Sequence, residues 1–314
     1  MISIVVPVYN EEESLEAFYE VLVKELSKLK KPYEILFIDD GSTDATLRLL
    51  KAFHKKDKDV KIFSFRKNVG KSEALSVGFS QAKGEYIVTL DADLQDKPSE
   101  IKKILDALED PNGAEVVCGW RKNRQDSFKK KLSSKFFNSL ANRFWGLKLH
   151  DYNCGLKGYT AQAAKSLKLY GGFHRFIPLL AYQHGFTVME VPVEHAKRKF
   201  GVSKYGFSKL WKDMPDMLTM IFLSRYKERP LHFFGIVGEI LFLLGILVLG
   251  YLSFLHFAGE TIGTRPLLFL GVMLVLSGIQ AFFTGFLADL LVHLNDRQEN
   301  GEKFLGRLKY SSEE

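Results

Sequence analysis

The chain has 314 residues, enough for one α/β domain of ordinary size and a smaller attachment. Lys and Arg (44) outnumber Asp and Glu (37), and the net charge of +7 suits an anionic membrane face or a phosphorylated ligand. Nucleic acid is set aside, since no zinc-ligand spacing or nucleic-acid motif occurs, and the two cysteines, Cys118 and Cys154, read as reduced thiols, neither a disulfide framework nor a metal site.

From the N-terminus, short β-branched or aromatic runs at 2–8, 33–39, 60–65, 85–91 and 115–118 alternate with helical patterns at 12–29, 43–56, 70–82 and 98–109. That alternation predicts an α/β fold with a mainly parallel sheet covered on both faces. Met1–Pro7 lacks a basic n-region and a long apolar core, so it reads as a first strand in a cytoplasmic domain, not a signal peptide. Asn10 is expected to open the first helix, with Glu11, Glu12 and Glu13 in its first turn. Asp110-Pro111-Asn112-Gly113 is a turn that closes the fourth.

After 120 the pattern changes. Residues 127–145 are basic, with apolar side chains at Phe128, Leu132, Phe136, Leu140 and Phe144. They form either a solvated helix or a surface for an anionic acceptor or membrane. A strand is expected at 187–194, then a basic loop at 195–206. Residues 207–227 read either as an interfacial helix on lipid or as an amphipathic packing helix.

Two long apolar stretches follow, Leu231–Phe257 and Pro266–Ala288. The second carries no charge and spans roughly 34 Å as a helix, enough for a hydrocarbon core of about 30 Å. A membrane hairpin is therefore expected. Basic residues flank it on both sides (Arg225, Lys227 and Arg229; Arg297, Lys303, Arg307 and Lys309), so both ends face the cytoplasm. Glu239, near one boundary, either snorkels or pairs. The expected division is 1–206 catalytic, 207–230 juxtamembrane, 231–294 hairpin and 295–314 tail.

Two carboxylate clusters stand at predicted strand ends: Asp39-Asp40-Gly41-Ser42-Thr43-Asp44 and Asp91-Ala92-Asp93-Leu94-Gln95-Asp96. Asp91 and Asp93 can face one hard cation, Mg²⁺ or Mn²⁺, if the chain bends there. Asp44 is better placed to cap the following helix than to touch a ligand. Asn68-Val69-Gly70-Lys71 precedes the third helix, where glycine lets a ligand approach and the helix N-terminus attracts anions.

With Pro7-Val8-Tyr9-Asn10-Glu11, these motifs in this order and spacing resemble family 2 glycosyltransferases of the GT-A fold. Within that family they are most similar to the polyprenyl-phosphate branch, which includes dolichol-phosphate mannose synthases and membrane-anchored undecaprenyl-phosphate glucosyltransferases. The resemblance covers residues 1–225, and the C-terminal hairpin matches the anchored branch. It implies inverting transfer of one hexose, glucose first, from a nucleotide sugar to a polyprenyl phosphate at the cytoplasmic face of the inner membrane. A UDP-sugar is favoured over GDP-mannose; N-acetylglucosamine and galactose stay open as sugars. It assigns Asp91, Asp93 and Gln95 to the metal. Pro7, Tyr9, Glu11 and Asp39 go to the nucleotide, with Asn68 and Lys71 beside them.

No acidic base is found for a hydroxyl acceptor. A phosphate acceptor explains this, because it is already largely ionised at neutral pH and needs cations to position it. The resemblance points to Arg121, Lys130, Ser134 and Arg198, with Arg121 and Arg198 taking part in catalysis. Lys130 stands where Arg is usual, and the register could instead fall on Lys129 and Ser133. Gly201-Val202-Ser203-Lys204-Tyr205 matches a donor loop, here through Ser203 and Lys204. His150-Asp151-Tyr152-Asn153-Cys154-Gly155-Leu156-Lys157 matches a further segment, with Asp151 at the acceptor face, either in the chemistry or orienting Arg or Lys, and Lys157 nearby. Arg175, in His174-Arg175-Phe176, is structural or on the acceptor side. Two other readings remain: a processive polysaccharide synthase, which usually carries a Gln-x-x-Arg-Trp motif not found here, and a membrane scaffold with an inactive transferase domain. Paired hairpins could associate into a homo-oligomer.

Overall fold

A computed structural model describes residues 1–122, 146–196, 219, 222, 226, 229–259, 261–263 and 266–298. The chain divides into two compact units, Met1–Asp216 and Met217–Glu314.

The first unit is built on a seven-stranded sheet. Its strands are β1 (Ile2–Val8), β2 (Tyr33–Asp39), β3 (Val60–Ser64), β4 (Tyr86–Thr89), β5 (Val116–Arg121), β6 (Lys157–Thr160) and β7 (Val188–Val193). They lie in the order β3-β2-β1-β4-β6-β5-β7. β6 runs antiparallel to both its neighbours, β4 and β5, while the other pairings are parallel. The helices are α1 (Leu15–Lys28), α2 (Thr46–Lys56), α3 (Lys71–Gln81), α4 (Ile101–Glu109), α5 (Ala161–Ser166) and α6 (Ile177–Gln183).

Both sheet faces are covered, which is why the strands read as unbroken apolar runs instead of alternating ones. Ile4, Val6 and Val8 of β1 share one core with Phe18 and Leu22 of α1, Leu50 and Phe53 of α2, and Ile104 and Leu105 of α4. Val5 faces the other way, against Gly78 of α3. A Cβ on Gly78 would meet a Val5 methyl at 2.3 Å, so α3 lies on the sheet only because that position has no side chain.

Two expectations need correction. The first helix begins at Leu15, with Ser14 before it, not near Asn10. Asn10 is left-handed (φ 52°), and its side chain accepts from the Thr43 N–H at 2.8 Å. It laces two loops together and cannot start a helix. β6 was not foreseen as a strand, because Lys157-Gly158-Tyr159-Thr160 is short and includes a lysine and a glycine. The turn after α4 forms as expected, with the Gly113 N–H donating to the Asp110 carbonyl at 2.7 Å.

The second unit contains α7 (Pro230–Phe257) and α8 (Pro266–Gln298), both long and apolar enough to cross a membrane. Most of their large apolar side chains are exposed, Phe254 at 70% and Phe269 at 71%, unlike core helices of a soluble domain. The two pack through glycines spaced seven apart, Gly238 and Gly245 against Gly271, Gly278 and Gly285. A Cβ on either Gly238 or Gly278 would meet the other's carbonyl oxygen at 2.7 Å, so the backbones touch, as small-residue membrane interfaces do. An open groove of about 630 Å³ beside that contact includes His232, Glu239 and Phe282 in its lining.

Candidate active site

β1 sits between β2 and β4. The chain proceeds from β1 to β2 and β3 on one side and then returns with β4 to the other. In open α/β sheets, ligands bind outside the carboxyl ends of strands at such a reversal. Here that crevice gathers the segments after β1, β2 and β4, with residues 150–157 alongside.

On the β2 side, Asp39 is 1% exposed. It accepts from the Ser42 N–H at 3.0 Å and the Ser64 hydroxyl at 2.7 Å. Asp40, which the sequence did not single out, ties down the loop before α3. Its carboxylate accepts from the Val69 N–H (2.7 Å), the Gly70 N–H (3.0 Å) and the Asn68 amide (3.0 Å). Asn68 therefore holds Asp40, and Gly70 takes φ 115°, which a side chain would strain. Pro7 and Tyr9 are half-buried at the end of β1. The Glu11 carboxylate accepts from the Ser14 hydroxyl at 2.8 Å, over the start of α1. Asp44 accepts from the Thr46 N–H at the head of α2 (2.9 Å). Burial works to raise the Asp44 pKa, but the Thr46 and Glu12 donors hold it below the usual range.

β4 ends at Thr89, and residues 90–96 form the bend that lets the acids converge. Leu94 is left-handed (φ 59°), a conformation that costs a non-glycine residue about 1–3 kcal/mol and concentrates at functional sites. It lets Asp93, 9% exposed, accept from the Gln95 N–H at 3.1 Å. Asp91 sits at the mouth, and the Lys71 ammonium lies on its Oδ1 at 2.5 Å. Burial would raise the Asp91 pKa; Lys71, with Lys157 and Arg121 farther off, lowers it instead. Asp96, also missed, is 4% exposed. Burial and the neighbouring Asp91 push its pKa up to about 6.

The Asp91 and Asp96 carboxylates close over Gly155. A Cβ there would meet Asp96 Oδ2 at 2.5 Å and Asp91 Oδ2 at 2.9 Å. Among the described residues, no three His, Cys, Asp or Glu side chains form a ready-made metal cage. Two aspartates with amide and water oxygens nonetheless fit a hard divalent cation that takes its remaining ligands from a substrate phosphate, as Mg²⁺ commonly does.

Beyond Asp91 lies a buried cation. Arg121, at the end of β5, forms a two-pronged pair with Asp151: Nε to Oδ2 at 2.6 Å and Nη2 to Oδ1 at 2.9 Å. The side chains are 10% and 4% exposed. Although burial would lower the Arg121 pKa, Asp151 raises it, so the guanidinium stays charged. Asp151 is thus paired with an arginine. Lys157, also buried, donates to the Cys154 carbonyl. Cys118 and Cys154 are both buried and free; burial pushes the Cys118 thiol up to about 12. His174 docks on α3, its N–H donating to the Ser72 hydroxyl at 3.0 Å, and Arg175 follows in the same half-buried turn. Lys129, Lys130, Ser133, Ser134, Arg198, Ser203 and Lys204 lie outside the described residues, as do the 127–145 segment, most of 207–230 and the tail beyond 298.

The profile of the family described as "Glycosyl transferase family 2" matches residues 3–168. A dodecaprenyl-phosphate galacturonate synthase of Rhizobium johnstonii is 39% identical over 313 residues, covering 98% of this chain and 92% of its own. An undecaprenyl-phosphate 4-deoxy-4-formamido-L-arabinose transferase of Pectobacterium atrosepticum is 35% identical over 295 residues, covering 92% and 88%. Among solved structures, glucosyl-3-phosphoglycerate synthase of Mycobacterium tuberculosis with Mn²⁺ and UDP-glucose superposes with a TM-score of 0.53 at 19% identity, covering 72% of this chain and 78% of that one. A Pyrobaculum calidifontis mannosyltransferase with GDP-mannose and Mn²⁺ gives 0.53 at 16% identity, covering 96% and 76%. At those identities the structures carry the fold, a GT-A α/β domain. These sequence relatives are named for galacturonate and 4-deoxy-4-formamido-L-arabinose, whereas glucose, the sugar expected first, is named with the Mycobacterium tuberculosis structure.

Proposed function

The chain belongs to glycosyltransferase family 2, and from that premise we propose that it transfers a single sugar from a nucleotide sugar to the phosphate of a polyprenyl phosphate. The observation that carries this reading is that Asp91 and Asp96 close over Gly155 at the reversal point of the sheet, within the field of Arg121, an arginine fixed by Asp151. Acids alone fit many sugar transfers. A buried guanidinium near them favours an acceptor that is already an anion.

In this reading Asp39, with Pro7, Tyr9 and Glu11 around it, receives the nucleoside. Asp40 and Asn68 hold the loop that brings Lys71 to the diphosphate. A Mg²⁺ or Mn²⁺ ion on Asp91 and Asp93, with Gln95 beside them, would offset charge on the departing diphosphate. Arg121 is kept charged and aimed by Asp151. It positions the lipid phosphate together with Lys130, Ser134 and Arg198, while Ser203 and Lys204 close on the donor. The phosphate oxygen then attacks the anomeric carbon opposite the leaving group, inverting it. A second pKa of about 6 leaves that oxygen ionised at neutral pH without a base.

We further assign residues 1–206 to a cytoplasmic catalytic domain, 207–230 to the juxtamembrane segment, 231–294 to a hairpin in the inner membrane and 295–314 to a cytoplasmic tail. The donor is a UDP-sugar, and its sugar departs from glucose in the way the relatives' sugars do. The test is transfer of labelled sugar from a panel of nucleotide sugars into the organic phase by the purified chain with undecaprenyl phosphate and Mn²⁺. UDP-galacturonate and UDP-4-deoxy-4-formamido-L-arabinose lead the panel, with UDP-glucose as comparison. Label in the organic phase that disappears in Asp91→Asn supports the reading. No transfer from any donor rejects it.

A further inference from the structure

Three cations act on the Asp91 carboxylate: Lys71, Lys157 and Arg121. Two are fixed. Lys157 is 4% exposed and donates to the Cys154 carbonyl. The Arg121 side chain is 10% exposed and is held on two prongs by Asp151. Lys71 differs. It lies directly on Asp91 Oδ1, and the two side chains are 32% and 35% exposed. Ion pairs at such exposure contribute little to stability.

The backbone beneath Lys71 is pinned. Asp40 takes the N–H groups of Val69 and Gly70, and Lys71 is the first residue of α3. The Lys71 side chain, 32% exposed, has room to turn. At one end of its reach is a carboxylate assigned to a divalent cation. Asp91 has two oxygens, and Oδ2 is turned toward Gly155 and Asp96. Lys71 therefore covers the oxygen that is not turned toward Gly155. An ammonium and a divalent ion on the same carboxylate repel one another.

We propose that Lys71 is the resident counter-cation of this site: it neutralises Asp91 when no divalent ion is bound, and moves to the donor's diphosphate when one is. The exchange keeps the charges balanced in both states. Without donor, Lys71 offsets Asp91. With donor and metal, the aspartates face the metal and Lys71 faces the phosphates. Metal alone then binds against Lys71, whereas metal with a nucleotide diphosphate binds with its help. The inference rests on the reading of Asp91 as a metal ligand given above.

The test uses the full chain in detergent and two probes, Mn²⁺ alone and UDP at saturating Mn²⁺. Free Mn²⁺ is followed by its electron paramagnetic resonance signal and UDP by calorimetry. Lys71→Met should bind Mn²⁺ alone about five- to fifty-fold more tightly than the unsubstituted chain, the range expected for removing one competing charge. The same variant should bind UDP with Mn²⁺ at least about fivefold more weakly, because a phosphate partner is lost. Lys71→Gln should match it, while Lys71→Arg, which keeps the charge, should stay near the unsubstituted chain in both. A side chain that only braces the fold would not move the two affinities in opposite directions. Unchanged or weaker Mn²⁺ binding in both neutral variants overturns the exchange while leaving the metal site standing. If the unsubstituted chain binds no Mn²⁺ even with UDP, the exchange and the metal reading fall together.

Discussion

Asp151→Asn is the sharpest perturbation of the acceptor side. The substitution keeps the shape of the side chain and removes its charge. Asp151 and Arg121 are joined by two short bonds, with side chains 4% and 10% exposed, so water cannot replace the lost charge. Breaking one half of a buried pair costs about 3–5 kcal/mol, because the other charge is left behind. For a domain of this size each kcal/mol lowers Tm by about 2–4 °C, so the expected fall is at least about 6 °C. Asp151→Asn combined with Arg121→Gln should recover part of that loss, since no unpaired charge remains. Thermal unfolding of the full chain in detergent measures both. In the transfer assay, Asp151→Asn should raise KM for the lipid phosphate well before it affects KM for the donor. A Tm within 1 °C of the unsubstituted chain, or equal damage to both KM values, would refute the claim that Asp151 exists to hold Arg121.

Gly155→Ala places a methyl 2.5 Å from Asp96 Oδ2 and 2.9 Å from Asp91 Oδ2; carboxylates displaced by about 1 Å should cost about a hundredfold in kcat/KM, and transfer within threefold of normal would contradict the convergence of those groups. Asp40→Ala unties Asn68, Val69 and Gly70; donor KM should rise about tenfold, with little change in lipid KM, in steady-state kinetics. Asp96 has a folded pKa raised to about 6 by burial and Asp91. Its protonated form is therefore the favoured one, its contribution to stability is full below about pH 4, and that contribution is lost as pH rises through about 6. Asp96→Asn should flatten the Tm profile between pH 4 and 7 and add at most about 3 kcal/mol at neutral pH, so an unchanged profile would count against a strained carboxyl there.

Much of this molecule could be read before its structure. β1 to β4 were legible because strands buried on both faces leave unbroken apolar runs, and the C-terminal pair of long helices because their sequences are apolar on every face. The motif acids fell at strand ends, as expected for Asp39 and Asp91. Long-range pairings were not readable. Lys71 meets Asp91 and Arg121 meets Asp151 only because the sheet brings distant segments together. Asp40 and Asp96 stood inside the quoted motifs, yet residue type alone does not separate a carboxylate that ties a loop from one that meets a ligand. Two local signals were available and missed. Ser14 stands immediately before Leu15, the first apolar helical position, but was passed over for Asn10, whose left-handed backbone sequence patterns do not report. The Lys157–Thr160 strand was hidden by the lysine that it buries.

The most direct measurement is the intact mass of the lipid after incubation of undecaprenyl phosphate with the preferred donor and Mn²⁺. The account predicts a single added sugar with the lipid's one phosphate retained, and no product when undecaprenol replaces the phosphate. A ladder of added sugars, or equal transfer to undecaprenol, would contradict it.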